Sequence, residues 1–301
     1  MSLVEYRIDG IYDKEQHAIE TLQAFCPEEG YYVAFSGGKD SVCIKALCDL
    51  AGVKYDAHYR VTSIDPPELV QFIKREYPDV EFEIPRDKNG KQITMASLIV
   101  KQGIPPTRLA RYCCEHLKES GGFGRMTVTG VRWAESVNRR KNQGLVTIME
   151  KATSDFPNGF ETTPRGGIIL NNDNDEAREF LESCYKRKAT IINPIIDWED
   201  EDVWEFIHKH NIPYCELYDQ GYKRLGCIGC PMGRSIRQLA EFEHYPKYKK
   251  IYLMAFEKML KMRKSKGLPT FGWESAEDVF EWWVDEKELP KQLEGQMEME
   301  L

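Results

Sequence analysis

The sequence contains no run of about 18 or more apolar residues, the length that a membrane-crossing helix needs. Its N-terminus, "MSLVEYRIDGIYDKEQ", is acidic and lacks the apolar core of a secretion signal. These absences imply a cytoplasmic protein with no membrane partner. Positive charge is not in excess either: 41 lysines and arginines face 49 aspartates and glutamates, a formal net charge of −8. That balance argues against broad, nonspecific grip on nucleic acid and leaves only a local basic groove open. The six histidines show no metal-ligand spacing, and no internal repeat is evident. The long loop ending in Gly-Lys-Ser/Thr that marks Walker-type nucleotide sites is missing. Cysteine is absent from residues 231–301.

What is present is ordinary in bulk and specific in detail. Of the 301 residues, 42% are hydrophobic and 30% charged, as in soluble globular proteins. A helix is expected from Tyr12 to Phe25, ended by Cys26-Pro27, and a buried strand from Tyr31 to Phe35. Further β-rich runs lie at 56–63, 80–85, 126–131 and 189–196, with helical stretches between several of them, notably Glu68–Glu76. Strands alternating with helices predict a Rossmann-like α/β domain with a mostly parallel sheet over residues 1–235. Residues 141–188 hold "DFPNG", "TTPRGG" and "NNDNDE" and read as a turn-rich insertion beside the sheet. Residues 236–301 read as a C-terminal helical extension, with a second helix capped near Ser275.

The stretch "YYVAFSGGKDSVCIKAL" (31–47) carries more polar and flexible residues than a strand-to-helix turn requires. Gly37 and Gly38 let successive backbone N–H groups turn inward around an anion, and the helix start adds free N–H groups and a positive dipole end. Ser36 and Ser41 offer hydroxyls, and Lys39 offers a positive charge. Asp40 can hold Mg²⁺ or cap the helix. The expected ligand is a phosphate or pyrophosphate, against the alternative of a plain capped turn.

Nine cysteines without an export signal are poor material for a disulfide framework. Cys26, Cys43, Cys48, Cys184 and Cys215 are scattered. The other four come in pairs, Cys113-Cys114 in "RYCCEHLKE" and Cys227/Cys230 in "LGCIGCPMG". From spacing alone, a structural Cys₄ zinc site, a [4Fe–4S] cluster and unmetallated thiols all remain open.

"SGGKDS" after an apolar strand resembles the PP-loop of the adenine nucleotide α-hydrolase superfamily. "CCEHLK" is similar to the Cys-Cys-x-x-x-Lys segment of iron–sulfur adenosine phosphosulfate (APS) reductases, and "TGVRWAES" to the segment that follows it. "NPIIDWEDEDVWEFIHKHNIPYCELYDQGYKRLGCIGC" resembles a long block of the phosphoadenosine phosphosulfate (PAPS) and APS reductase family. The likeness covers roughly residues 30–235, outside the insertion. It implies a PP-loop fold that binds ATP, PAPS or APS, with Mg²⁺. It also implies a [4Fe–4S] cluster on Cys113, Cys114, Cys227 and Cys230, with Lys118 offsetting negative charge. Nucleotide contacts are expected from Ser36, Gly37, Gly38, Lys39, Asp40, Ser41, Thr62, Asp65 and Gly130, with catalytic roles for Lys39, Asp40 and Arg132. Arg139 and Arg140 would extend the basic patch.

Reductases of the family attack with a thiolate on a C-terminal tail, and "KELPKQLEGQMEMEL" has no cysteine. Two enzymatic readings follow. One is ATP-dependent adenylation coupled to sulfur transfer onto a nucleic-acid or small-molecule acceptor, with a sulfur-donor protein. The other is PAPS or APS reduction with a thioredoxin-like partner and another thiol, such as Cys215. A third reading is a non-catalytic nucleotide-binding scaffold with a zinc site. The acids Glu199 to Asp202 are assigned to the helix dipole and to nothing catalytic.

Overall fold

The computed structural model describes residues 2–8, 10–148, 160–164, 167–171 and 190–285. Most of the insertion (including Cys184) and the tail after Asp285 lie outside the described residues. The chain divides into two compact units. The first comprises residues 1–59, 67–83 and 121–225; the second comprises 60–66, 84–120 and 226–301. A division at about residue 235 therefore differs from the observed one, because two earlier segments pack with the C-terminal helices.

The first unit opens with a hairpin of β1 (Val4–Arg7) and β2 (Gly10–Asp13), which the sequence reading missed. Helix α1 (Lys14–Ala24) follows; the Asp13 carboxylate accepts from the Gln16 amide and fixes its start. Then come β3 (Tyr31–Ala34), α2 (Lys39–Ala51), β4 (Tyr55–Arg60), α3 (Pro67–Glu76) and β5 (Glu81–Glu83). Helix α2 buries Val42, Cys43, Leu47 and Cys48, and ends at Gly52, whose φ of 66° suits a residue without Cβ. Strand β6 is Thr127–Val128 and β10 is Thr190–Ile192. Among the described residues the larger sheet has eight strands in the order β5-β4-β3-β6-β10-β7-β9-β8, where β7 is Val146–Ile148, β8 is Phe160–Thr162 and β9 is Ile168–Leu170. Pairs β4–β3, β3–β6 and β6–β10 are parallel, as an α/β reading requires.

The insertion corrects the expectation of an excursion beside the sheet. Its strands β7 (Val146–Ile148), β8 (Phe160–Thr162) and β9 (Ile168–Leu170) extend the sheet antiparallel from β10. Val146, Ile148, Ile168 and Leu170 are buried. Each strand is only three residues long, so the polar sequence between them conceals the signal.

The second unit is helical. Helix α4 (Met95–Gln102) starts at a Thr94/Ser97 capping box and packs on the long helix Pro246–Ser265, which begins with proline at its first turn. The helix Ala276–Val284 is capped at Ser275, as expected, and packs on the same long helix and on Arg234–His244. Tyr252, Phe256, Met259, Phe280 and Trp283 form the center of this core. No helix among the described residues is long and apolar enough to cross a membrane.

Candidate functional site

In the first unit, Ser36 to Ser41 join β3 to α2. Gly37 has φ 72°, and a Cβ there would come 2.7 Å from Ile73 Cδ1 and 2.8 Å from Leu69 Cδ1. Both the backbone angle and the close packing on α3 therefore call for glycine. Gly38 caps α2 with no side chain to serve the helix's first amides. The Lys39 amide donates to the Tyr218 hydroxyl at 2.9 Å. Ser41 Oγ donates to Gly38 O at 2.9 Å, and Ser36 Oγ to Ser41 Oγ at 3.2 Å. Ala34 and Ser36 are exposed although β3 has a strand on each side, so the sheet face leading to the loop is open.

Behind the loop lies a closed ring of four charges. Lys39 Nζ reaches Asp40 at 3.2 Å and Asp200 at 2.9 Å. Arg132, with 2% of its side chain exposed, donates from Nε to Asp40 at 2.7 Å and from Nη2 to Asp200 at 2.6 Å. Its Nη1 donates to Trp198 O at 3.1 Å. Burial alone would lower the arginine's pKa, but Asp40 and Asp200 hold it above its ordinary value. Burial would likewise raise Asp200, yet Lys39 and Arg132 hold it below the usual carboxylate range. Two cations and two anions neutralize one another, so an incoming phosphate meets no large local excess of charge.

The structure thus brings Lys39, Asp40, Ser36, Ser41 and Arg132 together. Gly130 belongs with them: a Cβ there would lie 2.9 Å from Asp40 Cβ and 3.0 Å from its carbonyl carbon. Asp200 and Tyr218 were missed by the sequence reading. Asp200 hid in an acidic helix start that the dipole already explained, and Tyr218 lay inside the quoted family block without being singled out. Asp202, from the same acidic run, is buried on Lys14 at 2.6 Å and serves packing. Arg139 pairs with Glu135 on the short helix Val137–Asn142, which also carries Arg140.

The four paired cysteines all lie in the second unit. Cys113 and Cys114 close a short helical turn, Tyr112–Cys114, that passes into a π-helical turn, Glu115–Glu119. Their side chains hydrogen-bond one another, which pushes Cys113 up and Cys114 down, and Arg111 Nη2 donates to Cys114 Sγ at 3.4 Å. Negative charge at Cys227 and Cys230 raises Cys113 further, so all four sulfurs lie within electrostatic reach. Lys118 hydrogen-bonds Cys227, whose charge lifts its ammonium above the usual range.

Thr62 and Asp65, grouped with the nucleotide in the sequence reading, belong to this unit. Cys227 Sγ lies 3.6 Å from Thr62 Oγ1 and 4.0 Å from Asp65 Oδ1, and the Thr62 amide donates to Asp65 Oδ2 at 3.0 Å. Helix Arg234–His244 holds the Cys227–Cys230 turn: Glu241 accepts from the Gly229 amide at 2.7 Å, and Gln238 Nε2 donates to Gly229 O at 3.0 Å.

Among the described residues, no three His, Cys, Asp or Glu side chains converge on a point that would hold one ion. A single tetrahedral zinc needs four sulfurs about 2.3 Å from one center. A [4Fe–4S] cluster is held by four cysteine thiolates, and these four thiols beside a lysine fit it in chemistry and in number.

A sheet with parallel central strands, carrying a glycine loop at a strand-to-helix junction, defines an α/β protein of the nucleotide-loop class. The model of the phosphoadenosine phosphosulfate reductase domain matches residues 30–232, and the chain belongs to that family. An uncharacterized protein of Methanocaldococcus jannaschii is 27% identical over 298 residues, 95% of this chain. The match covers 59% of that protein, so the chain spans little more than half its length. The adenosine 5'-phosphosulfate reductase of Oceanobacillus iheyensis is 42% identical over 52 residues, 17% of this chain and 22% of that enzyme. Among solved structures, a PAPS reductase from Candida auris in complex with phosphate aligns over 70% of this chain and 87% of its own, with 15% identity and a TM-score of 0.40.

Proposed function

We propose that the chain binds the phosphate tail of an adenine nucleotide at Ser36–Ser41 and uses ATP to adenylate an acceptor, the first half of an ATP-dependent sulfur transfer. The observation that supports this reading most is the start of α2, where Gly38 offers no capping side chain, set in a glycine turn. Loop amides and the helix dipole form a cradle for a polyphosphate, with the ring of Lys39, Asp40, Arg132 and Asp200 beside it. In the step proposed, an acceptor oxygen forms a bond to the α-phosphorus while the α–β anhydride bond breaks. Pyrophosphate leaves, with its developing charge met by Lys39 and the loop amides; Asp40 would hold a Mg²⁺ ion, which would supply further charge neutralization.

Cys113, Cys114, Cys227 and Cys230 would hold a [4Fe–4S] cluster. Bound there, the cluster supplies soft iron sites for the sulfur that is transferred. Lys118 and Arg111 offset the charge of the thiolates.

Among the described residues outside the two cysteine pairs, Cys43, Cys48 and Cys215 are 0% exposed and Cys26 is half-buried, and burial pushes each thiol up, away from the reactive thiolate. Cys215 therefore does not suit the role of substitute nucleophile that the reductase reading gave it. PAPS or APS reduction, which the family match and the local identity to APS reductases keep in view, would draw its thiol from a partner such as thioredoxin.

The test is pyrophosphate release from Mg·ATP with candidate acceptors, run beside sulfite release from PAPS and APS with thioredoxin. Adenylation predicts pyrophosphate that falls at least tenfold in K39A. Sulfite without pyrophosphate would establish the reductase reading in its place. Iron and sulfide analysis after anaerobic purification should give about four iron per chain; stoichiometric zinc would remove the cluster.

A further inference from the structure

The loop's neighbor Tyr218 carries a donor that nothing described above uses. Its phenol oxygen accepts the Lys39 amide at 2.9 Å. A tyrosine hydroxyl has two acceptor positions and one donor. The main chain fixes the oxygen through an acceptor position, so the O–H remains to be satisfied. Among the described residues no acceptor is in reach of it. Burial holds the phenol above its usual range, with the Asp40 charge adding to the effect, so the group stays a neutral donor.

Its placement is rigid. The ring stands edge-on to Trp204 at 5.2 Å, with Tyr214 at 6.5 Å. The surrounding turn is closed by Tyr218 N–Cys215 O at 3.1 Å and Gly221 N–Tyr218 O at 3.0 Å. A Cβ on Gly38 would lie 3.4 Å from the hydroxyl, an ordinary contact distance, which places the oxygen beside the first turn of α2.

We propose that Tyr218 is a binding residue of the anion cradle, its hydroxyl fixed by the Lys39 amide and giving its proton's hydrogen bond to a phosphate oxygen of the nucleotide. The proposal rests on the phosphate reading of the loop and deepens it. Because Lys39 and Arg132 are already matched by Asp40 and Asp200, neutral donors carry the discrimination between a seated and an unseated phosphate.

The experiment is calorimetry with inorganic pyrophosphate and with Mg·ATP on the full chain. Tyr218→Phe keeps the ring and removes the donor, and should weaken pyrophosphate about 10- to 100-fold, the loss of a hydrogen bond to a charged group. Tyr214→Phe, whose hydroxyl goes to Asp219 at 3.1 Å, should bind as wild type does. Equal affinity of Y218F and wild type overturns the role of Tyr218 and leaves the loop reading intact. Absence of binding by wild type overturns both. Should Y218F fail to fold, 3-fluorotyrosine at position 218 keeps the hydroxyl. Its fluorine resonance should then move on saturation with pyrophosphate, and an unmoved resonance refutes the proposal.

Discussion

Replacing Gly229 by alanine tests how the Cys227–Cys230 turn is built. Gly229 has φ 72°, in the left-handed region, where a side chain costs about 1–2 kcal/mol. The new Cβ would also lie 2.3 Å from Phe242 Cζ and 3.1 Å from both Cε atoms. Phe242 has no room to swing aside: it is 3% exposed, with Tyr252 at 5.4 Å, Phe280 at 5.3 Å and Trp283 at 6.0 Å. Overpacking of this kind costs about 1–3 kcal/mol. The peptide itself is fixed by Glu241 and Gln238, so the two penalties combine to about 2–5 kcal/mol.

Gly267 supplies the control. It lies in the same unit with φ 65°, but a Cβ there would meet nothing within 4 Å. G267A should therefore lose only the backbone term, about 1–2 kcal/mol. Urea unfolding of the two variants isolates the clash as a midpoint roughly 1 M lower for G229A than for G267A. Iron content should fall in G229A alone, since displacing Gly229 moves both cysteines of the turn. Equal midpoints for the two variants would show that Phe242 does not close over the turn as described.

Three further outcomes follow from other contacts. Asp200→Asn takes the charge ring around Lys39 and Arg132 from neutral to +1, so pyrophosphate without magnesium should bind about two- to fivefold tighter at low salt; Asp200 is 58% exposed, and the gain should vanish near 0.5 M salt. Weaker binding by D200N in calorimetry would contradict this. Asp56 is held below the usual carboxylate range by Arg125, whose two terminal nitrogens reach it at 2.6 and 2.5 Å, with His58 adding to the effect. The folded pKa lies below the unfolded one, so this stabilization is complete above the ordinary carboxylate value near 4 and is lost as pH falls through the depressed value. D56N should be less stable than wild type at pH 7 and lose less stability between about pH 4 and 2, read as urea midpoints. Parallel curves would sink the assignment. Trp283→Phe removes an indole N–H that reaches Pro106 O at 2.6 Å in the buried core, and should cost about 2–4 kcal/mol through an unpaired carbonyl and a smaller ring. An unchanged thermal midpoint would refute that contact.

The sequence by itself determined the elements whose signals are local. The β3–loop–α2 unit is written in five apolar strand residues, a glycine pair and a helical face of Val42, Cys43 and Leu47. The caps at Gly52 and Ser275 depend on backbone conformation within one turn, so short-range pattern suffices. The two cysteine pairs were visible in the sequence because each is compact, and all four of these cysteines lie in the second unit.

Only the tertiary structure decided the rest. Asp200 and Tyr218 lie 161 and 179 positions from Lys39, and no local pattern marks a residue that matters through a partner so distant in sequence. The three strands of the insertion pair antiparallel, although each is too short to show a period. Thr62 and Asp65 follow β4 in the chain, yet they pack on Cys227 because residues 60–66 fold with the C-terminal helices. Sequence specifies what each segment prefers. Which charges meet is decided by long-range closure, where one carboxylate satisfies two cations at once.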